Sequence, residues 1–252
     1  TDLNILIKSL KSHYLFEQMN IESNNLSRKI CLEIIETNNN IPYIYIRLGF
    51  TYILDIFLGV CKSPVVCVGK ATEAAKRALS LKPNYHKAHH LVGFIFLLRK
   101  EHEKAINELK RALIINPNNE RAYLNLGIAY MFYGHPIEGI DFINKSIKLN
   151  PRPPSDYYVH LGNAYTVCGE YERAIEALKK GVEIEPNNHL AHIGLAANYA
   201  ALEREKEARA EAKEVLNLNP NFSVKEFIKV LPFKDSEFPN RYSEYLQKAG
   251  LK

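Results

Sequence analysis

The chain has few of the features that mark chemistry in a sequence. Across 252 residues it carries no nucleophile elbow, no glycine-rich loop to cradle a phosphate, no carboxylate pair set apart from the general charge pattern, and no zinc spacing. No enzyme class is indicated and no cofactor is expected. The four cysteines, Cys31, Cys61, Cys67 and Cys168, form no C-x-x-C pair and do not cluster with histidines. A disulfide framework is therefore not expected. Cys61 and Cys67 are read as free loop thiols despite their closeness in sequence, and a reducing, cytoplasmic compartment is expected. The longest apolar run, around Leu91 to Leu98, is far too short to span a bilayer, and no signal peptide is expected. The chain opens on Thr1 rather than Met, as expected of a piece of a longer protein.

Charge is equally uninformative about special partners. The net charge is +5, but Lys and Arg are interleaved with Glu and Asp between Glu170 and Lys180 and between Glu203 and Glu214. That interleaving reads as solvated helix faces with i,i+4 pairs. A nucleic-acid binder would concentrate its cations in a stripe, so neither nucleic acid nor membrane is an expected partner. His86, His89 and His90 come nearest to a metal set, with His86 and His90 one helical turn apart, but no third ligand is evident and His89 falls in an aromatic packing slot.

What the chain does have is a period. From Glu120 to Pro151 apolar residues fall at i, i+3, i+4 and i+7 within two halves, and Gly134 separates them. Two antiparallel helices are implied. Pro151 closes the second, because it cannot donate the next backbone bond and displaces Asn150 from the helical region. Prolines recur at 83, 117, 151, 186 and 220, spaced by 34, 34, 35 and 34 residues. Within that period Leu126-Gly127-Tyr130 returns as Leu161-Gly162-Tyr165, as Val92-Gly93-Phe96 and as Leu195-Ala196-Tyr199, with Ala105, Ala174 or Ala208 in the second helix. This pattern resembles the tetratricopeptide repeat. The resemblance implies an all-α, right-handed α-solenoid of stacked antiparallel helix pairs. Gly127 and Gly162 let paired helices meet at bare backbone. Gly139 and Gly181 stand where the family carries Ala, and each is expected to cost roughly 1 kcal/mol of helix propensity and to soften its unit.

The expected organisation is one elongated domain over 1–252. A degenerate pair occupies 1–41 and ends on Asn38, Asn39 and Asn40, where Asn supplies the left-handed residue past a helix end. A long unit, 42–85, has its extra ten residues around 59–67, read as two added helical turns with a longer loop, or alternatively as a functional insertion. Regular units follow at 86–119, 120–154, 155–188 and 189–222. Residues 223–252 form a terminal cap, with Ser223 and Glu226 as a capping box.

In such a stack the first helices line a groove. The register puts Lys87, His90, Phe94 and Leu97 on it from one unit, Arg121, Leu124, Ile128 and Met131 from the next, and Val159 and Asn163 from the third. An apolar groove with cations near its rim suits a peptide or helix of a protein partner with hydrophobic anchors and an acidic flank. Assembly of copies of the same chain is the alternative. A relative of the family that captures acidic C-terminal peptides uses a Lys/Asn clamp, and here Val159 replaces the Lys one turn before Asn163. The run Asn219-Pro220-Asn221-Phe222-Ser223, Tyr242, Leu246 and Ala249-Gly250-Leu251 with the Asn-Pro-Arg-Pro-Pro junction also resembles the C-terminal repeat region of bacterial signalling proteins that bear a class III cyclase or winged-helix domain. That resemblance implies a non-catalytic regulatory or scaffolding module.

Overall fold

The computed structural model describes residues 3–252, and every regular element among them is helical. Thr1 and Asp2, counted in the expected first pair, lie outside the described residues. The described residues fall into two compact units. Unit 1 runs up to Leu98 and takes in Asn107–Pro117; unit 2 comprises Arg99–Ile106 and Asn118–Lys252. Unit 1 contains α1 (Leu3–Phe16), α2 (Ile21–Thr37), α3 (Pro42–Phe57), α4 (Pro64–Leu81), α5 (His86–Leu98) and the greater part of α6 (His102–Ile115). Unit 2 contains α7 (Glu120–Tyr133), α8 (Pro136–Leu149), α9 (Ser155–Cys168), α10 (Tyr171–Ile184), α11 (His189–Ala201), α12 (Glu205–Leu218), α13 (Val224–Val230) and α14 (Glu237–Lys248). Among the described residues no helix is long and apolar enough to cross a membrane.

The pairs are antiparallel and close because their seams are built of small residues. A side chain begun at Gly127 would lie 2.6 Å from the carbonyl oxygen of Gly139, and one begun at Gly139 would lie 2.7 Å from that of Gly127. Gly139 is thus not a soft departure from Ala, as the family pattern suggests, but half of a backbone-to-backbone contact. Gly162 performs the same service for Leu178, whose Cγ would meet a side chain there at 2.6 Å. Gly181 differs: a Cβ there meets only Val159 Cγ2 at 3.3 Å and Ser155 at 3.5 Å.

The turns between paired helices follow the period too. Gly134 (φ 101°) and Gly169 (φ 78°) are left-handed, and Lys100 (φ 59°) and Glu203 (φ 57°) take the same conformation in the corresponding slot without the freedom of glycine. Asn38, by contrast, closes α2 in an extended conformation with φ −150° and not in the left-handed one expected of it.

In unit 1 the long second repeat is explained by longer helices. α3 has 16 residues and α4 has 18, where α7 and α8 have 14 each. The loop between them turns at Gly59, and α4 starts at Pro64, which brings Cys67 back over the loop. Cys61 and Cys67 are joined as a disulfide with Cα atoms 6.5 Å apart, contrary to the free thiols expected from sequence. A buried polar cluster fixes α2 to α3: Asn24 donates to the Thr51 carbonyl (2.9 Å) and to Asp55 Oδ1 (2.8 Å), which also accepts from Arg28 Nη2 at 2.5 Å. At the other end of the chain Ser223 precedes α13 without a side-chain cap bond, so the expected capping box does not form, while Gly250 (φ 100°) closes α14.

These seams separate two otherwise similar substitutions. Gly139→Ala forces a Cβ into the Gly127 backbone and is expected to destabilise the chain by roughly 1–3 kcal/mol. Gly181→Ala meets only a side-chain methyl that shifts slightly, and is expected to be neutral or to stabilise by up to about 1 kcal/mol. Urea unfolding of both variants checks this, and equal losses would contradict it.

Candidate functional site

The first helices of unit 1 carry a row of aromatic rings. The Phe50 ring centroid lies 5.4 Å from His90 and 6.5 Å from Phe94, Phe57 lies 6.1 Å from Phe94, and Phe16 at the end of α1 lies 6.4 Å from Phe50. These spacings are those of interacting aromatic pairs. The row is open to solvent on one side: Phe57 is 64% exposed, and Phe16, Phe50 and Phe94 are half-buried. His90 and Leu97, both expected on this face, are buried beneath it.

Cations border the row. Lys87 Nζ stands 5.0 Å from the centre of the Tyr43 ring, and the Arg47 guanidinium lies 4.4 Å over Phe16. Arg47 Nη2 also donates to the Tyr43 hydroxyl at 2.9 Å and to His13 Nδ1 at 2.5 Å, and Nη1 lies 3.7 Å from Glu17. Burial, reinforced by Arg47, holds His13 below its ordinary pKa. His13 is therefore a neutral acceptor, and the positive charge of this face resides on Arg47 and Lys87. Sequence reasoning missed Phe16, Phe57, Tyr43 and Arg47. The groove register already places Phe50 as the counterpart of Phe94, and carried back across the long unit it would have found Tyr43 as the counterpart of Lys87.

Unit 2 departs from expectation. Leu124, Ile128, Met131 and Val159, expected to line an apolar groove, are all 4% exposed or less. Close pairing draws two of them inward. Met131 packs on Gly139, and Val159 Cγ2 packs on Gly181, so both fill the seam within their own pair. Arg121, expected as a cation for a partner's acidic flank, is held by Asp156 at 3.1 Å and lies 5.4 Å over Tyr157. Asn163 is half-buried with its Oδ1 directed at α11, 3.5 Å from where a Gly194 side chain would begin. Of the ten expected residues, His90, Leu97, Leu124, Ile128, Met131 and Val159 are buried.

The histidines serve the frame. His192 Nδ1 lies 2.6 Å from Glu211 and its Nε2 lies 2.9 Å from the Pro186 carbonyl. His89 repeats the arrangement with Glu108 at 2.7 Å and the Pro83 carbonyl at 3.0 Å. Both nitrogens of His89 are thereby engaged, which removes it from any metal set, and among the described residues no metal-holding group of His, Cys, Asp and Glu occurs. The signal was legible as a Glu 19 residues after each of these histidines. Since carboxylate and carbonyl both accept, His192 donates from both nitrogens. Burial opposes its charge, but the bonds to Glu211 and Pro186 outweigh that, and its pKa is raised.

The sign follows from linkage. A folded-state pKa above the unfolded value of about 6.5 gives stability that is complete below that value and is lost as pH rises through the folded pKa. Urea midpoints measured from pH 5.5 to 9 should show this loss in the native chain and a smaller one in His192→Gln; identical profiles would contradict it.

Comparison with known proteins fits this geometry. Family models described as tetratricopeptide repeat match residues 120–153 and 155–188, and one described as TPR repeat matches residues 93–131. Heat shock protein STI1 of Saccharomyces cerevisiae is 33% identical over 70 residues, 27% of this chain and 12% of that protein. The Protein STIP1 homolog of Dictyostelium discoideum is 29% identical over 66 residues, 26% of this chain and 12% of that protein. The chain thus spans only a small part of the length of these relatives. Among solved structures, the Cut9–Hcn1 heterotetramer of APC/C superposes with a TM-score of 0.70 at 16% identity, covering 90% of this chain and 45% of that one. PilW, a type IV pilus biogenesis factor, gives 0.62 at 19% identity, covering 82% and 92%. These likenesses establish the fold: an all-α tetratricopeptide solenoid.

Proposed function

We propose that these repeats make the chain a non-catalytic protein-interaction module that holds an apolar segment of a protein partner on the half-open aromatic row of unit 1. Repeats of this kind generally mediate protein–protein interaction. The observation that carries the reading is Phe57, 64% exposed beside the half-buried Phe50 and Phe94. Large rings left in water next to one another form a patch whose removal from water favours association. Arg47 and Lys87, at the end of α3 and α5 where Tyr43 stands, suit an acidic flank and set the direction of the bound segment. The place of such a module is in a larger bacterial signalling protein, as a regulatory part; the likeness of the C-terminal run and of the Pro151–Pro154 junction to that group supports it.

Assembly of copies of the chain is supported by a different feature. α1 turns Ser12 inward, where it meets Ser27 at 2.9 Å, and leaves Leu3, Leu6, Ile7, Leu10 and Tyr14 at least half exposed along its outer face. The stripe borders a cleft of about 460 Å³ between α1 and the start of α3.

Peptide-display selection against the chain separates the two readings. Selected peptides are expected to carry aliphatic or aromatic anchors beside Asp or Glu, and Phe50→Asp with Phe94→Asp should weaken their binding at least tenfold with helix content unchanged. Binding that survives both substitutions removes the aromatic-row reading. A concentration-dependent oligomer that Leu10→Glu dissociates, with no peptide selected, favours assembly. Met131→Asp is not a useful probe, since that side chain is 2% exposed and its replacement disrupts the seam.

A further inference from the structure

The insertion that lengthens the second repeat ends in a tip whose side chains stand in water. Val65 is 80% exposed and Val66 55%, both in the first turn of α4, and Phe57, Val60 and Pro64 of the same connection are exposed as well. Connections between paired helices are ordinarily polar, and a cluster of exposed apolar groups at one of them marks a contact surface.

The tip is held rigidly. The Cys61–Cys67 bridge closes residues 61–67 into a ring. The amides of Leu58, Gly59, Val60 and Cys61 donate to carbonyls near the end of α3 at 2.9 to 3.2 Å, and those of Val66 and Cys67 donate to the Ser63 carbonyl at 3.0 and 3.2 Å. Pro64 has no amide hydrogen to offer. A partner polypeptide therefore finds little backbone to pair with here. Internal pairing is also the condition under which backbone enters an apolar medium at low cost.

The charge of the tip has one sign. Asp55 is buried and bonded to Asn24 and Arg28, and no acidic residue follows it until Glu73, while Lys62 and Lys70 are exposed. The net charge of +5 falls entirely in unit 1, which holds 13 Lys and Arg against 8 Asp and Glu, with 20 of each in unit 2. Over the whole chain that imbalance is diluted, which is why the sequence gives no cause to expect a membrane.

We propose that the α3–α4 tip docks unit 1 on an anionic lipid surface: Phe57, Val60, Val65 and Val66 enter the headgroup region, and Lys62 and Lys70 meet its anionic lipids. A groove-bound peptide needs a concave seat, whereas these side chains project. Projecting apolar groups, a bonded backbone and flanking cations suit the boundary between headgroups and acyl chains. The inference goes beyond the peptide-binding reading. Only Phe57 belongs to both the tip and the aromatic row, and the variants that test the tip leave it in place, so either reading can fail alone.

Flotation of the oxidised chain with unilamellar vesicles tests it. Binding is expected to vesicles of equal parts phosphatidylcholine and phosphatidylglycerol, and binding at least about fivefold weaker to phosphatidylcholine alone. Val65→Ser/Val66→Ser keeps the charge and should bind the mixed vesicles at least about fivefold more weakly, with native helix content. Because the chain has no tryptophan, Val65→Trp is a single reporter of the tip. Its emission should shift to the blue on the mixed vesicles and be quenched by brominated lipid. A native chain that does not float with the mixed vesicles overturns the proposal and leaves the tip to a protein partner. A Val65→Ser/Val66→Ser chain that floats as well as the native one overturns it too, since adsorption would then be by charge alone. So does a vesicle-bound Val65→Trp chain whose emission is unchanged.

Discussion

Two bare backbones meet where Gly127 crosses Gly139, and much of unit 2 follows from how close that crossing is. With no side chain between the axes, the residues on either side of the crossing are pulled against the facing helix. Met131 is one of them, and Val159 is in the same position over Gly181. Slots that would line an open groove in a looser pair become filler in this one. The tight seam and a recognition surface compete for the same residues. In unit 2 the seam wins.

Unit 1 resolves the competition differently. Gly49 there lies under Leu91 and near the Ala71 carbonyl, and no glycine faces it across the α3–α4 seam. The helices are longer, and the ring-bearing slots at Phe50 and Phe94 stay at the surface, extended by Phe16 and Phe57. Polar groups hold the frame where burial would otherwise leave them unpaired. Asn24, Arg28 and Asp55 join α2 to α3, and Thr166 and Asn198 exchange bonds of 3.1 and 2.9 Å between α9 and α11. His89 and His192 tie a first helix to its second helix and to the preceding proline turn.

The helices, their pairing and the glycine turn at Gly134 were legible because each depends on a residue and its neighbours within one repeat. The long second unit was legible as added helix for the same reason. The candidate site was less so. Register states which side of a helix a residue occupies, but not what stands opposite it, and Leu124, Ile128 and Met131 differ from Phe50 and Phe94 only in that. The Cys61–Cys67 bridge needed the position of Pro64 to bring the two together, and the left-handed Lys100 and Glu203 are imposed by the repeat against their own preference. Arg121 reads as a rim cation until Asp156, 35 residues on, is found beside it.

Covalent labelling by hydroxyl radicals on the unmodified chain tests the contrast between the two units most directly. Methionine is intrinsically easier to oxidise than phenylalanine, so Met131 would dominate the products if its slot were open. The account predicts that Phe57 and Phe94 are modified while Met131 is protected, with the exposed Met19 as the reactive reference. Rapid oxidation of Met131, or protection of Phe57 and Phe94, would contradict it.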